Sequence, residues 1–183
     1  LLGALLRGIE HHRDIDRWFH RSRVFVEGER RLRDALFETR SPKLLLFAHP
    51  AWEMCLDGAW LRARGARAVT EELAVSLADA EDGLDEASVV HHFDHEPGHD
   101  RAPFVGRMRR IVAAAKDGSL HDDYATAEGI AARLAGMRRA FGFEPPRAAE
   151  LASWVAALEA SVRAADDALP LLFEERDAAR RSP

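Results

Sequence analysis

The stretch from Ser41 to Gly65 constrains the fold more than any other. Leu44, Leu45, Phe47, Trp52, Met54, Leu56, Trp60 and Leu61 fall on nearly every side of one helix. A helix that is apolar all round has to be wrapped by other elements. Its polar residues are few, and three of them, His49, Glu53 and Asp57, lie four apart. Four residues carry a helix through about one turn, so these side chains stack on one face. A carboxylate taken into such surroundings is costly unless it is paired or holds a metal.

The elements that could wrap this helix are themselves helical. Alanine, leucine, arginine and glutamate dominate the chain, and all are strong helix formers. "VVHHF", from Val89 to Phe93, is the best strand candidate and is short. The expected fold is all-α: a compact, HD-domain-like multi-helix bundle with no substantial sheet, forming a single domain over residues 1–183.

The boundaries follow from caps and breakers. A first helix runs to about His20. Ser22 caps a second, which carries Phe25, Leu32 and Leu36 on one side. Ser41 as N-cap and Pro42 at the first helical position start the third, which Gly65 ends. Pro50 lies inside it and should bend it or mark a local irregularity. Thr70 caps a short helix to Ala80, and another run covers Asp85 to Asp94. "EPGHDRAP" is a loop. Helices follow from Phe104 to Lys116, from Tyr124 to Phe141 and from Pro146 to Leu169. Pro170 then kinks or restarts the chain, and the last residues fray.

Composition bounds the class. The chain has 183 residues, 47% apolar and 31% charged, as expected of a folded soluble protein. The single cysteine, Cys55, rules out an internal disulfide framework and points to a reducing cytoplasm. It lies on the apolar third helix and reads as core rather than as a nucleophile. No stretch is long and apolar enough for a bilayer, and no secretory signal is visible. The chain opens at Leu1, and the reading is that residues upstream are missing. A net charge of -5 argues against a general nucleic-acid binder. Arg21, Arg23, Arg30, Arg31 and Arg33 nevertheless cluster, as do Arg101, Arg107, Arg109 and Arg110. They read first as solvated helix faces, and otherwise as a patch for an acidic partner or phosphate.

A second ladder precedes the buried helix. "GIEHHRDIDRWFH", from Gly8 to His20, places His12, Asp16 and His20 four apart. Face to face, the two ladders would build a mixed His/Asp/Glu site between helices. Such ligands suit Mn, Fe, Zn or Mg. The alternative is structural: Arg13 and Arg17 pair with Glu53 and Asp57, and the histidines are core hydrogen-bonders. His11 and Asp14 point to other sides and read as surface or outer groups. Arg13 is a phosphate anchor or a solvent-facing ion pair. "HHFDHEPGHD", from His91 to Asp100, reads as a solvated loop or lid ahead of a second metal site, and His121 to Asp123 as a turn and cap. GxSxG, P-loop and CxxC motifs are all absent; "HEPGH", from His95 to His99, matches HExxH in letters only, since Pro97 and Gly98 break the helix on which that motif works.

"GIEHHRDID" resembles the G-I-x-x-H-R-x-I-D signature of bacterial acyl carrier protein phosphodiesterases, the ACP hydrolases, through Gly8, Ile9, His12, Arg13, Ile15 and Asp16. Glu53 and Asp57 match an acidic pair of that family. "YATAEGIAARLAGM" fits a later helix through Tyr124, Ile130, Leu134, Gly136 and Met137. The order and approximate distances agree over most of the chain. The family is similar to HD-type metal phosphohydrolases.

The resemblance implies an all-helical, divalent-metal enzyme, often using manganese, that removes 4′-phosphopantetheine from holo-acyl carrier protein. It implies His12, Asp16 and Asp57 as ligands and Arg13 on the phosphate. Glu53 or His49 would then act as general base. The chain departs from the family pattern at Gly58, where histidine is usual, at His20, where aspartate is common, and at Glu53. The family's N-terminal His and Asp motifs are not seen. His20 and His49 are candidates to replace missing imidazoles, with His20 as a fourth ligand. The rivals are a phosphohydrolase acting on another phosphoester and a non-catalytic helical scaffold. The oligomeric state is not readable.

Overall fold

A computed structural model describes residues 2–41, 43–72, 75, 106, 109–110, 113–114, 117 and 122–181, with side chains from residue 10 onward. The described residues are mostly helical, with no strand among them, and they form an all-α bundle. No helix among them is long and apolar enough to cross a membrane.

Helix α1 spans Leu2–Phe19 and α2 spans Arg23–Glu38. The turn between them is fixed by Ser22. Its hydroxyl accepts from the Phe25 amide at 3.1 Å and donates to the Phe19 carbonyl at 2.8 Å. That satisfies one of the donors a helix start leaves orphaned. Helix α2 buries Val24, Phe25, Gly28, Leu32 and Leu36, a stripe at helical spacing.

The apolar third segment departs from its expected form. Leu44–Phe47 is a 3-10 turn, and α3 proper runs Ala48–Arg64. Ser41 caps no α-helix there; its hydroxyl accepts from Trp154 Nε1 at 2.6 Å. Pro50 falls in the first turn of α3, where its missing N–H costs nothing, so no bend is required. The stop at Gly65 is as expected: its φ is 84°, and its amide reaches the Leu61 carbonyl at 2.8 Å. Residues 66–72 are helical again. Thr70 lies inside that run instead of capping one, with its hydroxyl donating to the Ala66 carbonyl at 2.9 Å.

After a second 3-10 turn, Asp122–Ala125, helix α4 spans Ala127–Ala140. It therefore starts later than Tyr124, because Thr126 is the cap and accepts from the Gly129 amide at 3.1 Å. Gly142, with φ 75°, follows its end. Helix α5 spans Ala148–Arg181 without interruption. Pro170 neither ends nor restarts it, since packing on both sides outweighs one lost backbone hydrogen bond. The chain's last stretch stays helical to Arg181. The expected helix from Asp85 to Asp94, "VVHHF" and the loop from His91 to Asp100 lie outside the described residues. So do most of Phe104 to Lys116, and His121.

Helix α3 is the axis of the bundle. It packs against α2, α4, α5 and both 3-10 turns, which is why its apolar residues run round its whole circumference. Trp52, Cys55, Leu56 and Leu61 are buried on it. Helix α5 packs against α2, α3 and α4 through Trp154, Leu158, Ala165, Leu169 and Leu172. Fully burying side chains of this size contributes roughly 1.5–3 kcal/mol each. Arg62 clamps α3 to α5: Nη2 donates to Asp166 at 2.7 Å and to the Val162 carbonyl at 3.2 Å, and Nη1 to the Ala125 carbonyl at 2.8 Å.

Two glycines set how closely the elements approach. A Cβ on Gly28 would stand 2.1 Å from the Trp52 ring, so α2 lies directly on that indole. A Cβ on Gly58 would stand 1.9 Å from the Tyr124 carbonyl oxygen, so the second 3-10 turn lies directly on α3.

Candidate metal centre

The end of α1, the middle of α2 and the start of α3 converge on two imidazoles and a carboxylate. His20 follows the last turn of α1, its amide still bonded to the Asp16 carbonyl at 3.0 Å. His49 and Glu53 lie one turn apart on α3. His20 Nε2 is 2.8 Å from Glu53 Oε1, and His49 Nε2 is 3.4 Å from the same oxygen. Each of the three residues offers one ligand atom, and these atoms all lie within 4.8 Å of one another.

The floor is Phe25. Its ring packs at 4.8 Å from His20 and 5.0 Å from His49, and the two imidazoles are themselves 4.7 Å apart. Buried almost completely, it prevents the rings from collapsing into the core and holds them at a partly exposed surface.

Behind each imidazole stands another carboxylate. Asp16 Oδ1 is 3.5 Å from His20 Nδ1, and Glu29 Oε2 is 3.2 Å from His49 Nδ1. Glu29 also pairs with Arg33, one turn on. Burial pushes the Glu29 pKa up, but the hydrogen bonds from Arg33 and His49 outweigh it and hold the pKa below its usual value. An ionised Glu29 only accepts, so His49 Nδ1 is placed to donate to it. A carboxylate on one ring nitrogen, with the other free to ligate, is how histidines are oriented around metals. Two imidazoles and a carboxylate suit Zn, Mn or Fe(II).

The structure brings together only part of the expected set. His20, His49 and Glu53 form the cluster, and Asp16 touches it through His20. His12 and Arg13 are exposed on α1, with no hydrogen bond or ion pair among the described residues. Asp57 lies one turn beyond Glu53 and faces a cavity. Asp14 pairs with Arg17 at 3.0 Å, so Arg17 reaches neither Glu53 nor Asp57. His11 and Asp14 border the same cavity as Asp57.

Glu29 was not among the expected residues, although a signal existed. It lies on the face of α2 that carries Phe25, Leu32 and Leu36, where an apolar residue would be normal. Gly58, where the family pattern has histidine, has a steric cause here: the Tyr124 carbonyl leaves no room for a side chain. Cys55 is buried, and burial pushes its thiol up to about 12, which suits core filling and not nucleophilic attack. Much of the arginine cluster on α2 is already paired, Arg23 and Arg31 with Glu27 and Arg33 with Glu29.

No protein-family model, no curated protein and no solved structure matches this chain.

Proposed function

We propose that this chain is a divalent-metal phosphodiesterase, held at His20, His49 and Glu53 and acting in a reducing, cytoplasmic setting. The observation that carries the reading is the convergence of two Nε2 atoms on one Glu53 oxygen, each imidazole backed by a carboxylate. A cation bound there would polarise a phosphoryl oxygen and make water acidic enough to attack phosphorus near neutral pH. Asp16 and Glu29 would fix the ring tautomers. Arg13, exposed and without a partner among the described residues, is free to meet a phosphate and offset charge gained in the transition state.

The resemblance of "GIEHHRDID" to ACP hydrolases names the substrate within this reading: holo-acyl carrier protein, losing 4′-phosphopantetheine, with manganese as the metal. An acidic carrier would be attracted to the exposed arginines of α1 and α2. The ligands favoured here differ from those the resemblance implies, since His12 stands away from the cluster and Asp57 faces elsewhere.

A second reading has an observation of its own. His20 and Glu53 at 2.8 Å already make a satisfied hydrogen bond, so the same chain of groups serves a metal-free scaffold. Calorimetric titration of chelator-treated protein with Mn²⁺ and Zn²⁺ separates the two. Saturable binding at one equivalent, lost in Glu53→Ala, supports the metal centre; no binding supports the scaffold. Incubation of the metal-loaded protein with holo-acyl carrier protein and with a panel of other phosphodiesters then tests the reaction. Release of phosphopantetheine identifies the ACP activity, and turnover of another ester alone removes it.

A further inference from the structure

A cavity of about 920 Å³ opens between α1, α3 and α5. That is within the size range of small-molecule sites. Its walls include the rings of Trp18, Phe19, Trp60 and Phe173, with Leu56 and Leu169. Asp57 enters this apolar space from α3. Its carboxyl reaches solvent through the cavity, yet protein crowds it. Burial, and then the like charge of Glu53, pushes its pKa up to about 6.

The charges around the cavity are otherwise accounted for. Arg64 pairs with Glu72. Arg176 pairs with Asp177 at 2.9 Å and lies over the Phe173 ring at 4.9 Å. Asp14 pairs with Arg17. Arg180 stands in the last turn of α5, where the helix dipole favours a cation. His11 is exposed at the border. Asp57 alone among the lining carboxylates has no hydrogen bond or ion pair among the described residues. A carboxylate in an aromatic cavity calls for a cation, and a hydrated metal ion would find one carboxylate not already held by an arginine, among ring faces. An N-alkylated cation sheds water cheaply and is attracted to ring faces.

We infer that this cavity binds a substituted organic ammonium ion, with Asp57 as counter-ion and Trp18, Phe19 and Trp60 as the walls that hold its alkyl groups. The inference goes beyond the proposed metal chemistry and does not need it.

The test uses the full chain, treated with chelator so that metal plays no part. Choline is titrated alongside 3,3-dimethylbutanol, which has the same shape with carbon in place of the charged nitrogen. Binding is followed by calorimetry and by tryptophan emission, since Trp18 and Trp60 border the cavity while Trp52 and Trp154 are buried. Choline is expected to bind about tenfold tighter than the alcohol. Asp57→Asn should erase that preference and leave the alcohol unchanged. Trp60→Leu should weaken choline while retaining a preference for it. Equal binding of the two probes, no saturable binding of choline, or a preference that survives Asp57→Asn would each overturn the inference. Because Asn matches Asp in shape and removes a crowded charge, a loss of folding is not expected, and the melting temperature of each variant checks this.

Discussion

Two ladders of the same design end in different places. His12 and Asp16 on α1 and His20 just past its end obey the same spacing as His49, Glu53 and Asp57 on α3. Of the first ladder only the last residue enters the cluster; Asp16 is half exposed, and His12 faces solvent. On α3 every member faces something built: Glu29 and His20 for the first two, the cavity for the third. Spacing along a helix sets which residues share a face. What that face meets depends on how many neighbours the helix has. Helix α3 has them on all sides, whereas the side chains of α1 from His11 to Arg17 are exposed.

The largest test of this contrast is metal affinity. Glu53→Ala or His49→Ala should weaken Mn²⁺ binding by on the order of 100-fold or more, and Glu29→Gln by about 10–100-fold through loss of ring orientation. His12→Ala should change it by less than about twofold. A large loss in His12→Ala, measured by the same calorimetry, would transfer the site to the ladder of α1.

Stability offers the next contrast. Gly58→Ala should lower unfolding free energy by about 1–3 kcal/mol, because its Cβ would meet the backbone of Tyr124, which has no room to yield. Gly136→Ala, inside α4 with nothing within 4 Å of the added carbon, should raise it by about 0.5–1 kcal/mol. Urea denaturation of the two variants reads both signs, and a neutral Gly58→Ala would mean that the second 3-10 turn can lift away from α3.

Asp57 gives a pH-dependent effect of known direction. Its folded pKa, about 6, exceeds the ordinary 3.8, so the folded chain holds the proton more tightly than the unfolded one. Its contribution to stability therefore falls as pH rises from about 4 to 6, then stays level. Asp57→Asn should melt higher than the parent at pH 7.5 and at the same temperature below pH 4. A difference that persists at low pH would assign the effect to packing and not to charge.

The smallest effect belongs to α1. Arg17→Ala breaks an exposed pair with Asp14 and should cost less than about 0.5 kcal/mol by thermal melting. A larger loss would show that α1 is held to the bundle more firmly than its exposed surface implies.

Periodicity carried much of the fold. The wrapped third helix, the Ser22 cap and the Gly65 stop follow from local chemistry, and local chemistry does not change on packing. The restart expected at Pro170 does not occur, and Pro50 sits just past the junction of the 3-10 turn with α3, because a proline's cost depends on position and support. Pro50 sits where no hydrogen bond is due, and Pro170 lies in a helix packed on α2, α3 and α4. The site was legible as two ladders, and its membership was not. Which members meet depends on the angle and offset of α1 and α3 about α2, where Phe25 lies under Phe19 and His20 and Gly28 lets Trp52 approach. Residue spacing carries no record of that angle.

The hydrogen bond from Trp154 to Ser41 joins positions 113 residues apart. Synthesis runs from one to the other. Every residue of the cluster, from Asp16 to Glu53, leaves the ribosome while α5 is still unmade. Until that helix arrives, α2 and α3 lack one of their main partners, and their apolar faces stay open to water or to a chaperone. The histidines are thus translated well before the helix that completes their scaffold.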